Sequence, residues 1–210
     1  MPEVNILNDY CLDYAYGIYV LGKKHKLVKQ LIKTHKPSVH GVKNWHSSFV
    51  LCDYLLHKLI LKKNSKVLEI GCGWGAAGIF CASHAHCHVT GLDIDDNVFP
   101  FLKVQAEINQ VKISTTKSRF EKISGKSLSQ FDILIGSDIC FWNDLEESIF
   151  KLIMRALKAG VKHIIIADPG RGPFLSLVAR CEKIKGLDHL DWYCTEPEKF
   201  EGHILHIHNK

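Results

Sequence analysis

The amino-acid sequence predicts an α/β domain. The expected architecture is a doubly wound, mostly parallel sheet in a three-layer α/β/α arrangement, with an antiparallel strand pair at the C-terminus. Three observations predict it. From about residue 65 onward, short β-type runs alternate with helix-type runs, the pattern of parallel strands joined by helical crossovers. One strand-to-helix turn, within VLEIGCGWGAAG at 67–78, is dense in glycine. The last two β-type runs are joined by a loop too short for a crossover helix, so they must pair antiparallel.

Taken in order, KHKLVKQLIKTHK at 24–36 is a basic amphipathic helix, with Leu27, Val28, Leu31 and Ile32 at helical spacing, ended by Pro37. A second helix runs from Phe49 to Leu61, with Ser47 or Ser48 available as its cap. SKVLEIG is a strand and Ala76 to Ser83 a helix. CHVTGLDI is a strand, followed by the helix VFPFLKVQAEINQ with Pro100 near its start, where a missing N–H is tolerated. KISTTKS is a weak strand and FDILIGSD a strong one. The helix DLEESIFKLIMRALKAG stops at Gly160. KHIIIADPG, GPFLSLVARCEKIKG, LDWYCTE and HILHIHN then read as strand, helix, strand and strand. Residues 1–43 read as a helical N-terminal extension and 44–210 as the main domain.

At 210 residues, with 46% apolar and 23% charged side chains, the chain has the size and composition of one soluble domain. No apolar run approaches the roughly 20 residues that span a bilayer. Glu3 and Asp9 stand where a secretory leader would be basic. A cytoplasmic location is therefore expected. The eight cysteines include no C-x-x-C pair and several sit in apolar runs, so they read as buried hydrophobes rather than a disulfide frame. The net charge of +5 is concentrated ahead of the first strong strand and weakly favours an acidic partner.

Gly71, Gly73, Gly75 and Gly78 follow a strand and open a helix, where glycine allows a tight turn and close ligand approach. Gly73, Gly75 and Gly78 also satisfy G-x-G-x-x-G, so a nicotinamide-cofactor enzyme is the rival reading. Glu69 counts against it: a carboxylate there repels a pyrophosphate and suits an ammonium or sulfonium. Asp93, ending the next strand, is placed to accept ribose hydroxyls.

VLEIGCGWGAAG resembles the first motif of class I S-adenosylmethionine-dependent methyltransferases, GLDID the second and FDILIGSD the fourth. The resemblance runs in order over about residues 45–208 and implies a Rossmann-like sheet with S-adenosylmethionine as cofactor. Within that superfamily, NWHSSFVLCDYLL, GSDICFWNDLEESI and IIIADPGRGPF are similar to segments of the seven-β-strand protein lysine methyltransferases of the electron-transfer-flavoprotein β-subunit type. That likeness implies cofactor contacts at Trp45, Glu69, Gly71, Gly73, Asp93, Phe120 and Asp138. It implies that Asp138 faces the target amine, where alignment is its safer role because a carboxylate favours the charged ammonium. It also places Phe141 in the catalytic region, at the position of the family's tyrosine, without the phenolic hydroxyl.

The sequence argues against other targets. Base-methylating enzymes carry N/D-P-P-Y/F after this strand, where the chain has SDIC; nucleic acid is thus not the expected partner. A metal-dependent O-methyltransferase would use Asp138 and Asp168 as oxygen ligands, but Pro169 replaces the expected asparagine. No metal site is expected: Cys81, His84, His86, Cys87 and His88 lack a usual zinc spacing, and His203, His206 and His208 read as strand packing. Arg171 reads equally as a substrate anchor or as the partner of a carboxylate. The expected function is N-methylation of a protein lysine. A small-molecule amine acceptor, and a non-catalytic binding protein on the same fold, stay open.

Overall fold

In a computed structural model describing residues 11–38, 41 and 43–209, nine strands form a two-stranded hairpin and a seven-stranded sheet. The hairpin pairs β1 (Leu12–Ala15) with β2 (Ile18–Leu21). The large sheet contains β3 (Lys66–Ile70), β4 (His88–Asp93), β5 (Ile113–Lys117), β6 (Ile133–Ser137), β7 (His163–Asp168), β8 (Leu187–Cys194) and β9 (Phe200–His208), in the order β5-β4-β3-β6-β7-β9-β8. The first five of these are parallel, and β9 runs antiparallel to both β7 and β8. The predicted doubly wound sheet with its antiparallel C-terminal pair is therefore present.

Among the described residues the α-helices are α1 (Lys26–Thr34), α2 (Ser47–His57), α3 (Ala76–Ala85), α4 (Phe99–Ile108), α5 (Gly125–Leu128), α6 (Asn143–Lys158) and α7 (Gly172–Cys181). Strand alternation sorts the core into two layers. Val67, Val89, Ile133, Ile135 and Ile165 pack on one face with α2 and α3. Leu68, Ile70, Leu134, Ile164 and Ile166 pack on the other with α6 and α7. These central strands are buried on both faces, which explains their near-continuous apolar runs. At the edge, β5 is mostly exposed, matching its weaker pattern. Seven of the eight cysteines, all but Cys11, are buried, and none of those seven is in a disulfide.

The expected extension over 1–43 is not all helix; residues 1–10, 39, 40 and 42 of it lie outside the described residues. The lysine-rich helix is present as α1 with Val28 buried, but a hairpin precedes it. Tyr16 and Gly17 turn it with φ of 51° and 77°, the left-handed pair of a tight hairpin. Tyrosine in place of asparagine or aspartate hid this turn in the sequence. Ala15, Ile18 and Val20 join the α2–α3 core layer. The outer backbone of β2 is paired by side chains of α4 and of Asn109, which caps the C-terminal end of that helix. Gln105 bonds both N–H and C=O of Leu21, at 2.9 Å each, and Asn109 bonds both of Tyr19, at 2.7 Å each.

A second fastening runs through Asp53 of α2, which is buried. It accepts hydrogen bonds from Tyr16 Oη and from Trp192 Nε1 on β8, each at 2.8 Å. Asp53→Ala leaves both donors without this acceptor, so it is expected to lower unfolding stability by roughly 2–4 kcal/mol. Urea denaturation checks this; an unchanged midpoint would mean that the hairpin is held without it.

Candidate active site

The parallel strands all end on one edge, at Ile70, Asp93, Lys117, Ser137 and Asp168. The chain winds outward from β3 through β4 to β5 and then returns to place β6 on the other side of β3. Such a reversal leaves a crevice beyond the strand ends. A cavity of about 530 Å³ lies there, an ordinary size for a small-ligand site. Trp45, Glu69, Gly71, Gly73, Asp93, Phe120, Asp138 and Phe141 all line it. The fold thus brings together the eight residues that the family resemblance implies for the cofactor and catalytic region, while Gly78, Asp168 and Arg171 lie outside the lining.

One wall is the glycine-rich turn. Glu69 is buried on β3, and its Oε2 accepts the N–H of Gly78 at 3.2 Å. A Cβ at residue 78 would overlap that oxygen, so carboxylate and glycine require one another. Burial is the main cause that pushes the Glu69 carboxyl up to about 8. Its contribution to stability is therefore full below the ordinary carboxylate range near 4.5 and is lost as pH rises through about 8. Gly73 has φ of 50°, and a Cβ there would project into open space. Asp93 closes the turn: Oδ2 accepts from Gly73 N and Oδ1 from Asp95 N, both at 3.0 Å. Burial raises the Asp93 carboxyl, and the two backbone N–H bonds act against that rise.

Trp74, inside the same turn, clamps it from outside. Its ring stacks on Phe101 at 5.1 Å, and its Nε1 donates to Gly41 O at 2.9 Å. Cys72, Ile94 and Asn44 also line the cavity. They lie inside the quoted motifs, but nothing in those patterns singles them out from their neighbours.

The opposite wall begins at Asp138, which is buried and has φ of 54°. A non-glycine residue in the left-handed region stores strain and is held there by its surroundings. Here the N–H of Asp138 donates to Ala167 O at 2.9 Å. Its Oδ2 accepts from Ser47 N at 3.3 Å, and its Oδ1 lies 2.6 Å from Arg171 Nη2. Arg171 Nη1 pairs with Asp168 Oδ2 at 3.0 Å. Of the two readings of Arg171, the geometry favours the carboxylate partner. Its guanidinium bridges the two aspartates that a metal-dependent mechanism would use as ligands. It also lies 4.8 Å from the ring centre of Phe141. Trp45 meets Phe141 at 5.7 Å, edge-on, and Lys43 Nζ lies 4.3 Å from the Trp45 ring centre. Trp142 is 60% exposed at the cavity mouth.

Burial raises the Asp168 carboxyl, and Arg171 acts against that rise. Arg171→Ala leaves two buried carboxylates uncompensated. It is expected to cost roughly 3–5 kcal/mol at pH 7. The loss shrinks as pH falls toward 5, because Asp168, whose carboxyl burial already raises, can then take up a proton in the folded chain. Denaturant unfolding at both pH values checks this, and a pH-independent loss would contradict the ion cluster.

The profile of the family described as lysine methyltransferase matches residues 26–171. The chain is 24% identical over 132 residues to the electron transfer flavoprotein beta subunit lysine methyltransferase of Xenopus laevis, covering 63% of this chain and 53% of that protein. It is 32% identical over 127 residues to the protein N-lysine methyltransferase METTL21A of Xenopus tropicalis, covering 58% and 56%. The chain thus spans about half the length of these curated relatives. In fold it is similar to an RNA methyltransferase from Salinibacter ruber crystallised with S-adenosyl-L-homocysteine. That match has a TM-score of 0.54 at 12% identity, over 76% of this chain and 90% of that one. With a profile match over more than half its length, the chain belongs to the lysine methyltransferase family.

Proposed function

We propose that this chain is an S-adenosylmethionine-dependent methyltransferase that N-methylates a lysine side chain of a protein. The observation that carries the reading is one continuous cavity with two unlike ends. One end offers the Glu69 carboxyl, the open glycine turn and Asp93; the other offers an aromatic mouth over an internally neutralised Asp138. The first end suits an amino-acid sulfonium joined to a nucleoside. Glu69 faces its cationic part, and Asp93 accepts ribose hydroxyls with the lone pairs its backbone bonds leave free. Gly71 and Gly73 let the ligand approach the backbone. Phe120 and Trp45 flank it.

When bound, the cofactor supplies an electrophilic methyl group, and the protein supplies alignment and exclusion of water. Phe141 and Trp142 form an apolar channel fitted to the methylene stem of a lysine. Trp45 attracts ammonium groups, as its contact with Lys43 illustrates. Asp138 orients the incoming amine. Arg171 offsets its charge, so the pair retains less of the ammonium's proton than a lone carboxylate would. Phe141 offers no hydroxyl, so positioning rests on shape and on Asp138.

The cofactor domain is read as 44–210, with Ser38 and Gly41 of the preceding segment closing one side of the cavity. The exposed lysines of α1 favour a protein substrate with an acidic surface. Among the described residues, no helix is long and apolar enough to cross a membrane. Seven buried, unpaired cysteines support a reducing, cytoplasmic setting.

Thermal unfolding with S-adenosylmethionine, S-adenosylhomocysteine and NAD tests the reading. The two sulfur nucleosides, at about 100 times their dissociation constants, should stabilise the fold by about 2.7 kcal/mol, and NAD should not. Transfer of labelled methyl from the cofactor to proteins, followed by acid hydrolysis, should then yield methyl-lysine. No shift with either sulfur nucleoside would sink the methyltransferase reading; label in small molecules alone would favour the small-molecule amine.

Glu69 gives a second expectation. Its carboxyl is largely protonated at neutral pH in the free chain and must ionise beside a cationic ligand. Affinity for S-adenosylmethionine should therefore rise with pH, by up to about tenfold per unit below 8, with proton release. Calorimetry in buffers of different ionisation heat measures that proton. A flat pH profile would place the cationic group away from Glu69.

A further inference from the structure

At the sheet edge away from the cavity, three histidines and one aspartate share a face. His163 opens β7, His206 and His208 lie on β9, and Asp188 lies on β8. His163 is the direct partner of His208, and Asp188 of His206. Directly opposed residues, and residues two apart on one strand, point to the same side of a sheet. The four side chains therefore lie on one face of three adjacent strands. His163 stands five residues before Asp168, which puts the group about 17 Å from the strand ends at the cavity. None of the four lines that cavity.

The ligand atoms are well disposed. One ring nitrogen from each of the three histidines lies within 4.8 Å of the others. His163 Nδ1 and His206 Nε2 are 3.1 Å apart. Two nitrogens bound to one tetrahedral zinc at about 2.0–2.1 Å are about 3.3 Å apart, so this pair needs almost no movement to share an ion. The other nitrogen of His206, Nδ1, is 2.8 Å from Tyr54 Oη. When Nδ1 donates to that oxygen, the lone pair of Nε2 is left facing His163. A hydrogen bond on the far nitrogen is how proteins set the tautomer of a metal-binding histidine. Asp188 stands outside this set of mutually close atoms, but its Oδ2 is 3.7 Å from His208 Nε2, near enough to join as a fourth, anionic donor once an ion is bound. His206 is fully buried and His208 partly exposed, so the cluster has an anchored side and an open side.

We propose that His163, His206, His208 and Asp188 form a zinc-binding site that ties β7, β8 and β9 together at the edge of the sheet remote from the cavity. Three imidazoles and one carboxylate suit a borderline ion with tetrahedral preference. Asp188 is the discriminating ligand. Lys58, Lys62 and Lys162 all bring positive charge toward these histidines, and a dication needs the aspartate to offset it. The site stands independently of the proposed methyl transfer. The histidine spacing on β9 alone does not reveal it, because the third imidazole comes from a strand 43 residues earlier.

The test uses the full chain without an affinity tag, stripped with a chelator and titrated with zinc chloride. One equivalent is expected to bind and to raise the melting temperature. Cobalt(II) should bind at the same site and give the intense visible bands of a tetrahedral complex. His163→Gln, His208→Gln and Asp188→Asn should each abolish stoichiometric binding. Tyr54→Phe, which removes only the hydroxyl that holds His206, should weaken it by about 10- to 100-fold. All four variants should keep the far-ultraviolet circular dichroism and the cooperative unfolding of the metal-free unaltered chain, showing that they fold. Absence of saturable zinc binding in the unaltered chain would overturn the proposal, as would binding that survives His163→Gln and His208→Gln together.

Discussion

The site depends on a buried acid and an absent side chain. Glu69 lies beneath the first turn of α3 and bonds the backbone of Gly78, which can hold no Cβ without striking the carboxyl. The turn above is pressed on other sides as well. A Cβ on Gly71 would come within 2.6 Å of Ile139, and one on Gly75 within 2.8 Å of Leu102. The glycines are thus fixed by what surrounds them, and only at Gly73 does the missing side chain leave open space. Retaining an acid in this position costs stability above its raised titration range, a cost accepted where it serves a ligand.

The far wall solves a different electrostatic problem. Two aspartates, from the ends of β6 and β7, approach each other in the interior, and one arginine three residues beyond β7 pairs with both. The same guanidinium covers one face of Phe141. Charge balance and the shape of the aromatic mouth therefore rest on one side chain. That shared duty explains why an apparently exposed P-G-R segment follows a buried strand.

Much of this was legible in the sequence, for reasons particular to each element. Central strands such as β6 and β7 announce themselves because burial on both faces demands continuous apolar residues. The glycine turn and its flanking acids announce themselves because their chemistry needs fixed residue types at fixed spacing. Seven of the eight residues reach the cavity because they sit at or just beyond strand ends, and a doubly wound sheet gathers those ends; Trp45 comes instead from the segment that enters α2. What escaped depended on distance along the chain. The hairpin turn used tyrosine where its usual signal is asparagine or aspartate. The partners of Arg171 came from two strands, and those of Asp53 from the hairpin and β8. No local pattern encodes such meetings.

The two amides that α4 extends to β2 carry a geometric consequence. Gln105 and Asn109 are four residues apart on a helix, a rise of about 6.0 Å. Leu21 and Tyr19 are two residues apart on a strand, a step of about 6.7 Å. The two repeats nearly coincide, so one helix face can stand in for a neighbouring strand over one full pleat and no further. Inserting or deleting a single residue in either segment would put both amides out of phase at once. The hairpin is therefore set by phase matching between unlike periodicities, and length changes in this region should be confined to the turns that flank it.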